Sequence, residues 1–165
     1  MNVLSVIAQM SEETRRYFSE RGWQDPAVIG IHRGGAWVAT ILHELLAIDE
    51  PMGALDITFY RDDFTRIGLQ PDVRPSNIPF DVENRHIILV DDVLYTGRTV
   101  KAALHEIYDY GRPASVTLVC LVDRGGRELP IQADIVGRVM TVTEDQLVKV
   151  SGPDPLQVEV VAKQS

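Results

Sequence analysis

One stretch of the sequence decides the fold, and it reads Ile87-Ile88-Leu89-Val90-Asp91-Asp92-Val93-Leu94-Tyr95-Thr96-Gly97-Arg98-Thr99. Its first four residues are apolar without alternation, which is typical of a central strand that is covered on both faces. Two carboxylates follow, and a turn of small and polar residues leads into a patterned segment that stops before Gly111. In that segment the apolar residues fall on one helical stripe. We therefore predict a strand, an acidic loop and a helix in succession.

Helical and strand patterns alternate along the rest of the chain, which indicates an α/β fold with a central, mainly parallel sheet flanked by helices. The segment 61–84 contains scattered charges and prolines, and it is too long for a passive connection in a small domain, so we predict a flexible lid there. The other predicted elements are an N-terminal helix over Leu4–Glu20, a strand Ala27–Ile31, a loop His32–Gly35, a helix from Ala36 to about Ala47, strands over Ala54–Tyr60, Ser115–Val122, Ile135–Val139 and Leu147–Val150, and a last strand, Gln157–Ala162, that closes the sheet.

Composition bounds the class of protein. The chain has 165 residues with 16 Lys+Arg and 24 Asp+Glu, so the formal net charge is −8. This length predicts a single domain, 1–165. The acidic balance argues against a surface that binds nucleic acid everywhere by charge. A single cysteine, Cys120, excludes a disulfide framework, and the absence of a long apolar run or a leader pattern predicts a cytoplasmic protein without a membrane partner.

The acidic loop and the turn predict a site for a phosphorylated sugar. Ligands of open parallel sheets bind beyond the carboxyl ends of the strands, where Asp91 and Asp92 stand. The turn 95–99 offers the hydroxyl groups of Thr96 and Thr99, a flexible Gly97, and the N–H groups of a helix N-terminus. Because carboxylates repel phosphate, they are expected to meet sugar hydroxyls and a Mg²⁺ ion instead.

This stretch resembles the signature by which type I phosphoribosyltransferases bind 5-phosphoribosyl-1-pyrophosphate (PRPP): a hydrophobic strand, two acidic residues and a T-G-x-T turn. The segments 57–63, 111–113 and 121–131 extend the resemblance to the PyrR-type family of bifunctional pyrimidine-operon attenuation regulators and uracil phosphoribosyltransferases. The resemblance covers roughly residues 27–150. It implies the type I phosphoribosyltransferase fold, with a five-stranded parallel sheet and a small hood formed by about 124–165.

The resemblance also implies a reaction, in which uracil and PRPP give UMP and pyrophosphate with Mg²⁺. Such chemistry passes through an oxocarbenium-like ribose, so the protein acts mainly by positioning and electrostatics. By this resemblance, Asp91 and Asp92 are catalytic and organise the metal. The implied substrate-binding residues are Arg33, Gly34 and Gly35 for pyrophosphate, Arg61, Val93, Leu94, Tyr95, Thr96, Gly97, Arg98 and Thr99 around the phosphate and ribose, and Arg124 and Val148 near the base.

Three functions remain open from the sequence. The first is a uracil phosphoribosyltransferase, and the second is a catalytically weak, UMP-sensing attenuator that binds an mRNA leader. The third is a phosphoribosyltransferase for another nucleobase, which the Arg-Gly-Gly order of residues 33–35 favours. A homodimer or higher homo-oligomer is implied by the resemblance. Trp23 and Trp37 are interpreted as packing residues rather than as platforms for a base.

Overall fold

The structure is a computed structural model that describes residues 1–57 and 76–164. In the first part of the chain helices and strands alternate as the sequence predicts, whereas the last four strands follow one another. The elements are α1 (Val3–Arg21), β1 (Ala27–Ile31), α2 (Gly34–Leu45), β2 (Gly53–Leu55), β3 (His86–Leu94), α3 (Arg98–Tyr110), β4 (Ser115–Asp123), β5 (Ile135–Val139), β6 (Gln146–Ser151) and β7 (Gln157–Ala162).

A five-stranded parallel sheet with the order β2-β1-β3-β4-β5 forms the centre of the protein. Ile88 and Val90 of β3 pack in one apolar cluster with residues of α1 and α2. Ile87 and Leu89 pack in a second cluster with residues of α3. Because successive side chains of a strand point to opposite faces, β3 needs apolar residues at every position when helices cover both faces. The predicted α/β class is confirmed.

Helix α1 shows how local sequence sets its two ends. The Asn2 side chain accepts a hydrogen bond from the Ser5 N–H at 3.0 Å, which caps the N-terminus. At the other end Gly22 adopts a left-handed conformation with φ of 67°, and the Trp23 N–H donates back to the Phe18 carbonyl at 3.1 Å. The apolar stripe between these caps packs on the sheet, as the spacing of Val6, Ile7 and Met10 predicts.

The prediction that the last strand closes the main sheet is wrong. Strand β7 pairs antiparallel with β6, with Val148 opposite Val160, and the two strands form a separate hairpin. The connections explain this arrangement, since only residues 140–145 join β5 to β6 and only 152–156 join β6 to β7. A parallel neighbour needs a crossover of about a dozen residues or more, whereas an antiparallel neighbour needs only a short turn.

Several predicted boundaries also change. Helix α2 begins at Gly34 rather than Ala36, and β3 continues to Leu94, so the two carboxylates belong to the strand itself. Strand β2 ends at Leu55. The predicted continuation over residues 58–60, and residues 61–75 of the predicted lid, lie outside the described residues. The division of the chain into core, lid and hood therefore stays a prediction.

Cys120 lies in β4 with no exposed surface. Burial raises the pKa of the Cys120 thiol well above its usual range, and the nearby carboxylates of Asp91, Asp92 and Asp123 raise it further. The thiol is therefore protonated at neutral pH and shielded from reagents.

None of the helices within residues 1–57 and 76–164 is both long and apolar enough to cross a bilayer.

Candidate active site

The carboxyl ends of β1 and β3 open into a cavity of about 550 Å³. These two strands are neighbours, yet the helices that follow them cover opposite faces of the sheet. At such a switch point the two connections that leave the strands run to opposite faces of the sheet, and a crevice remains between them. Ligands of open α/β sheets usually bind in this crevice. The residues predicted from sequence that line the cavity are Arg33, Gly34, Asp91, Asp92, Val93, Leu94, Tyr95, Thr96, Gly97, Arg98, Thr99, Arg124 and Val148.

Of the other two predicted residues, Gly35 is buried within the first turn of α2 and is not part of the described lining. Arg61 lies outside the described residues, so its role stays a prediction. The structure also adds lining residues that sequence reasoning missed. One of them, Trp37, stands four residues after Arg33, so the helical period already placed both on one side of α2. The added residues are Ile31, Trp37, Val100, Leu147 and Val150, and His32 of the predicted loop His32–Gly35 lines the cavity as well.

The two carboxylates are held by backbone N–H groups at the end of β3. Asp91 Oδ1 accepts from the Asp92 N–H at 2.8 Å, and Asp92 Oδ1 accepts from the Val93 N–H at 2.8 Å. Asp91 is buried, with 4% of its surface exposed, whereas Asp92 is half-buried. Hydrogen bonds from N–H groups to charged carboxylates are strong and directional, so both side chains are fixed at the cavity wall.

The glycine loop packs against these carboxylates. A Cβ placed on Gly34 would lie 2.0 Å from Asp92 Oδ2, and one placed on Gly35 would lie 2.7 Å from the Val90 carbonyl oxygen. The resemblance implies that these two glycines bind pyrophosphate. The structure shows that packing also requires them, since the start of α2 approaches the end of β3 more closely than any side chain permits.

The turn after β3 brings the N-terminus of α3 to the cavity. Gly97 adopts φ of 97°, a left-handed conformation, and as the N-cap residue it has no side chain with which to cap the helix that starts at Arg98. The buried Thr96 hydroxyl accepts from the Arg98 N–H at 3.2 Å. The first N–H groups of a helix lack partners within the helix and carry a partial positive charge, so this turn can hold an anion such as phosphate.

Arg127 fixes this turn from outside the cavity. Its guanidinium donates to the Tyr95 carbonyl at 2.8 Å, to the Ile131 carbonyl at 2.8 Å and to Asp123 Oδ2 at 2.6 Å. The Thr96 carbonyl accepts from the N–H groups of residues 128 and 129 at 2.9 and 3.1 Å. The segment that follows β4 therefore holds the turn by several bonds, and Arg127 has a structural partner in Asp123.

Asp123 titrates below its ordinary range. Burial alone would raise the pKa of the Asp123 carboxyl, but hydrogen bonds from Arg127 and the Gly125 N–H, with the Arg127 charge, outweigh burial and lower that pKa. The ionised form is therefore the one that stabilises the fold. Its contribution is complete above the unfolded-state pKa of about 3.9 and is lost as the pH falls through the lower folded-state pKa.

We expect Asp123→Asn to lower the free energy of unfolding by about 1 to 3 kcal/mol at pH 7, because Arg127 loses a charged partner. The difference from the wild type should shrink as the pH falls below about 4. Urea unfolding at a series of pH values measures it. Asp109→Asn is the matched control, since Asp109 is exposed on α3 and should leave the free energy unchanged. A difference that stayed constant into acid would contradict this account of Asp123.

Arg124 closes one end of the cavity. Its guanidinium carbon lies 3.8 Å from the centroid of the Tyr95 ring, a cation–π geometry. Its Nη1 donates to the Gln146 carbonyl at 3.3 Å, which joins it to the start of β6. The Arg124 Nε is buried and has no hydrogen-bond partner among the described residues. Because buried donors are normally hydrogen-bonded, this N–H group is expected to donate to an acceptor atom of a bound ligand.

The donor set fits a metal ion that arrives with a phosphorylated ligand. Among residues 1–57 and 76–164, no three or more His, Cys, Asp or Glu side chains group to hold a metal. Of the described residues that line the cavity, only Asp91 and Asp92 carry carboxylates. Mg²⁺ is usually bound by one or two carboxylates plus substrate phosphates and water, which is the arrangement these two residues allow.

Comparison with known proteins agrees with this geometry. Residues 1–153 match the family model described as the phosphoribosyl transferase domain. A protein named Bifunctional protein PyrR from Nitrosococcus oceani is 54% identical over 162 residues, which cover 97% of this chain and 92% of that protein. The protein of the same name from Pseudomonas paraeruginosa is 52% identical over 158 residues, which cover 96% of this chain and 93% of that protein.

Solved structures share the fold at low sequence identity. The hypoxanthine phosphoribosyltransferase of Trypanosoma cruzi superposes with a TM-score of 0.69 at 18% identity, covering 98% of this chain and 93% of that chain. A ternary substrate complex of a mutant of the enzyme from the same organism gives a TM-score of 0.64 at 24% identity, covering 84% and 77%. This likeness confirms the type I phosphoribosyltransferase fold. The chain therefore belongs to the phosphoribosyl transferase domain family and, within that family, to the PyrR-type proteins.

Proposed function

We propose that this protein is a uracil phosphoribosyltransferase, which converts uracil and PRPP to UMP and pyrophosphate. The observation that carries the proposal is the meeting of the Asp91–Asp92 pair with the N-terminus of α3 in one cavity. The PyrR-type relatives at 52% and 54% identity support the choice of a pyrimidine as the base.

The cavity offers a separate place for each part of PRPP. The 5′-phosphate would accept from the N–H groups of the first turn of α3 and from the hydroxyls of Thr96 and Thr99. The ribose hydroxyls would donate to Asp91 and Asp92. The pyrophosphate would lie beside Arg33 and the N-terminus of α2, which likewise has no side-chain cap from the described residues. The base would lie at the end of the cavity that is bounded by Arg124 and the β6–β7 hairpin.

The base end is bounded by Arg124 and the half-buried Val148. The buried Arg124 Nε, which lacks a partner among the described residues, would donate to a carbonyl oxygen of uracil. The apolar Val148 side chain lies along the same wall and would exclude water from the ring.

These positions account for catalysis without a covalent nucleophile. The bond between ribose C1′ and pyrophosphate oxygen breaks, uracil N1 forms the new bond to C1′, and the N1 proton leaves to water. Positive charge develops on the ribose during this exchange, and the fixed negative charges of Asp91 and Asp92 stabilise it. Holding both substrates in line supplies much of the remaining acceleration.

Asp91 and Asp92 are also the residues that would hold Mg²⁺. Held by these residues together with PRPP, Mg²⁺ would supply positive charge that offsets the negative charge of the pyrophosphate. The protein's own part is to present two oriented carboxylates. The Asp92 N–H group holds one oxygen atom of Asp91, and the Val93 N–H group holds one oxygen atom of Asp92.

Equilibrium binding tests this assignment of the cavity. We expect PRPP to bind at least about 10-fold more tightly in about 5 mM Mg²⁺ than in EDTA, because the metal offsets the repulsion between phosphate and carboxylate. UMP should compete with PRPP for the same site in isothermal titration calorimetry. PRPP binding that ignored Mg²⁺, or UMP and PRPP binding simultaneously, would overturn the proposed arrangement.

We further propose that the protein regulates pyrimidine genes by binding an mRNA leader in response to UMP. The support is the name of its relatives, Bifunctional protein PyrR. A filter-binding assay with a leader hairpin, with and without UMP and over a range of salt, tests this second activity. RNA affinity that UMP leaves unchanged would count against it.

We also propose that the protein forms a homo-oligomer, which light scattering of the purified chain tests.

A further inference from the structure

Trp37 stands where helix α2 meets the β6–β7 hairpin. It is half-buried near the start of α2 and lines the cavity together with Val148 and Val150 of β6. A Cβ placed on Gly152 would lie 3.2 Å from Trp37 Cε3 and 3.5 Å from Trp37 Cδ2. The hairpin turn at Gly152 therefore packs against the six-membered ring of the indole, with little room for a side chain between them. The interpretation of Trp37 as a packing residue only is incomplete, because the same residue lines the cavity.

Strand β6 is attached to the rest of the protein at both of its ends. At its start the Gln146 carbonyl accepts from Arg124 Nη1 at 3.3 Å. Just beyond its end Gly152 rests on Trp37. The two half-buried valines between these points, Val148 and Val150, line the cavity. Two contacts, Arg124 with Gln146 and Trp37 with Gly152, therefore set how far β6 lies from Asp91 and Asp92.

The support at Trp37 is a rigid one. Helix α2 is fixed on β3 because Gly34 and Gly35 approach the backbone and side chains of residues 90–92 too closely for any Cβ. The next residue in the helix, Val38, is fully buried in the core. An indole carried on such an element has few ways to move, so the hairpin cannot settle closer to the cavity or be pushed far from it without loss of packing.

We propose that Trp37 is a specificity-determining residue that sets the size of the base the cavity accepts. This inference rests on the proposed function. Trp37 and β6 together bound the space beside Val148 and Val150, and this boundary limits the base to a one-ring pyrimidine. Because the indole itself lines the cavity, a smaller side chain at position 37 leaves open space beside β6, which admits the larger base.

The test compares Trp37→Ala with Trp37→Phe, using kcat/KM for uracil and for hypoxanthine. We expect the preference for uracil over hypoxanthine to fall at least about 10-fold in Trp37→Ala, since a hydrophobic pocket discriminates by about 10 to 200-fold through size. Trp37→Phe keeps an aromatic ring at the contact and should retain the preference within about 3-fold. An unchanged preference in Trp37→Ala would overturn the proposal.

Gly152→Ala provides a second variant that leaves Trp37 in place. Gly152 is exposed, so folding should be unaffected, but its new methyl group meets Trp37 and Leu156 at 3.2 and 3.1 Å and moves the hairpin outward. We expect the uracil preference to fall in the same direction, by about 2 to 5-fold. A preference that rose or did not change would contradict the role of this contact.

Fluorescence separates this inference from the catalytic proposal. The chain has two tryptophans, so Trp23→Phe leaves Trp37 as the only indole. Titration of this variant with UMP should change the Trp37 emission, and adding Gly152→Ala should strengthen IMP binding relative to UMP. If these changes occur without turnover of any base, the size-selecting role stands and the enzymatic proposal fails. UMP binding measured by calorimetry without a change in Trp37 emission would overturn the role of Trp37.

Discussion

Replacing Asp92 by Asn is expected to lower kcat/KM for UMP formation by at least about 100-fold, the effect typical of removing one electrostatic contact to the transition state. The amide is nearly the same size and its oxygen still accepts from the Val93 N–H, so the loss is one of charge rather than of structure. Asp91→Asn should act in the same direction. Steady-state rates of UMP formation with saturating Mg²⁺ measure both effects.

Asp109→Asn is the matched control for this pair. It makes the same chemical change on an exposed position of α3 that lies outside the cavity lining. We expect its rate to match the wild type within about 2-fold, as for surface substitutions in general. Full activity in both Asp91→Asn and Asp92→Asn would refute the assignment of the two carboxylates. A loss in all three variants would point to a general effect of charge.

The second large effect is expected from Gly34→Ala, which displaces Asp92 without removing it. The added Cβ would lie 2.0 Å from Asp92 Oδ2, so either the carboxylate or the start of α2 must move. A misplacement of about 1 Å in a catalytic group costs about 100-fold in rate, and we expect a loss of that order in kcat/KM. Circular dichroism and thermal unfolding then establish whether the variant remains folded.

Gly22→Ala separates this local displacement from the general cost of changing a glycine. Gly22 adopts φ of 67°, and a Cβ placed there meets no heavy atom within 4 Å among the described residues. We expect it to lose about 1 kcal/mol of stability through backbone strain and to keep its turnover. Wild-type turnover in Gly34→Ala would contradict the packing of the glycine loop against Asp92.

The central part of the fold could be predicted because its determinants are local. The apolar run before Asp91, the turn at Gly97 and the apolar stripe of α3 each lie within a few residues of the feature they set. Together they predict a strand, a turn and a helix, and hence a site at the carboxyl end of β3. The structure brings thirteen of the fifteen predicted site residues to one cavity, with Gly35 buried beside it and Arg61 outside the described residues.

The features that could not be predicted depend on elements far apart in sequence. Position 34 must be a glycine because any Cβ there would collide with Asp92, and Gly152 packs against Trp37. No local sequence pattern relates the two residues of either pair. The sequence allows Arg127 to pair with the nearby Asp123, as it does, but it gives no sign of the bonds from Arg127 to the Tyr95 and Ile131 carbonyls that hold the turn 95–99. Such roles follow from which elements pack together, and the same holds for the β6–β7 hairpin, whose last strand the sequence pattern assigns to the main sheet.

The rate of product formation from PRPP and Mg²⁺ with uracil, measured beside hypoxanthine, xanthine and orotate, tests the central claim most directly. We predict UMP and pyrophosphate in equal amounts with uracil, and at least about 10-fold lower kcat/KM with each of the other bases. A faster rate with a purine or with orotate would contradict the assignment of the base. No turnover with any base, together with measurable UMP binding, would contradict the enzymatic claim and favour a nucleotide sensor that regulates through RNA.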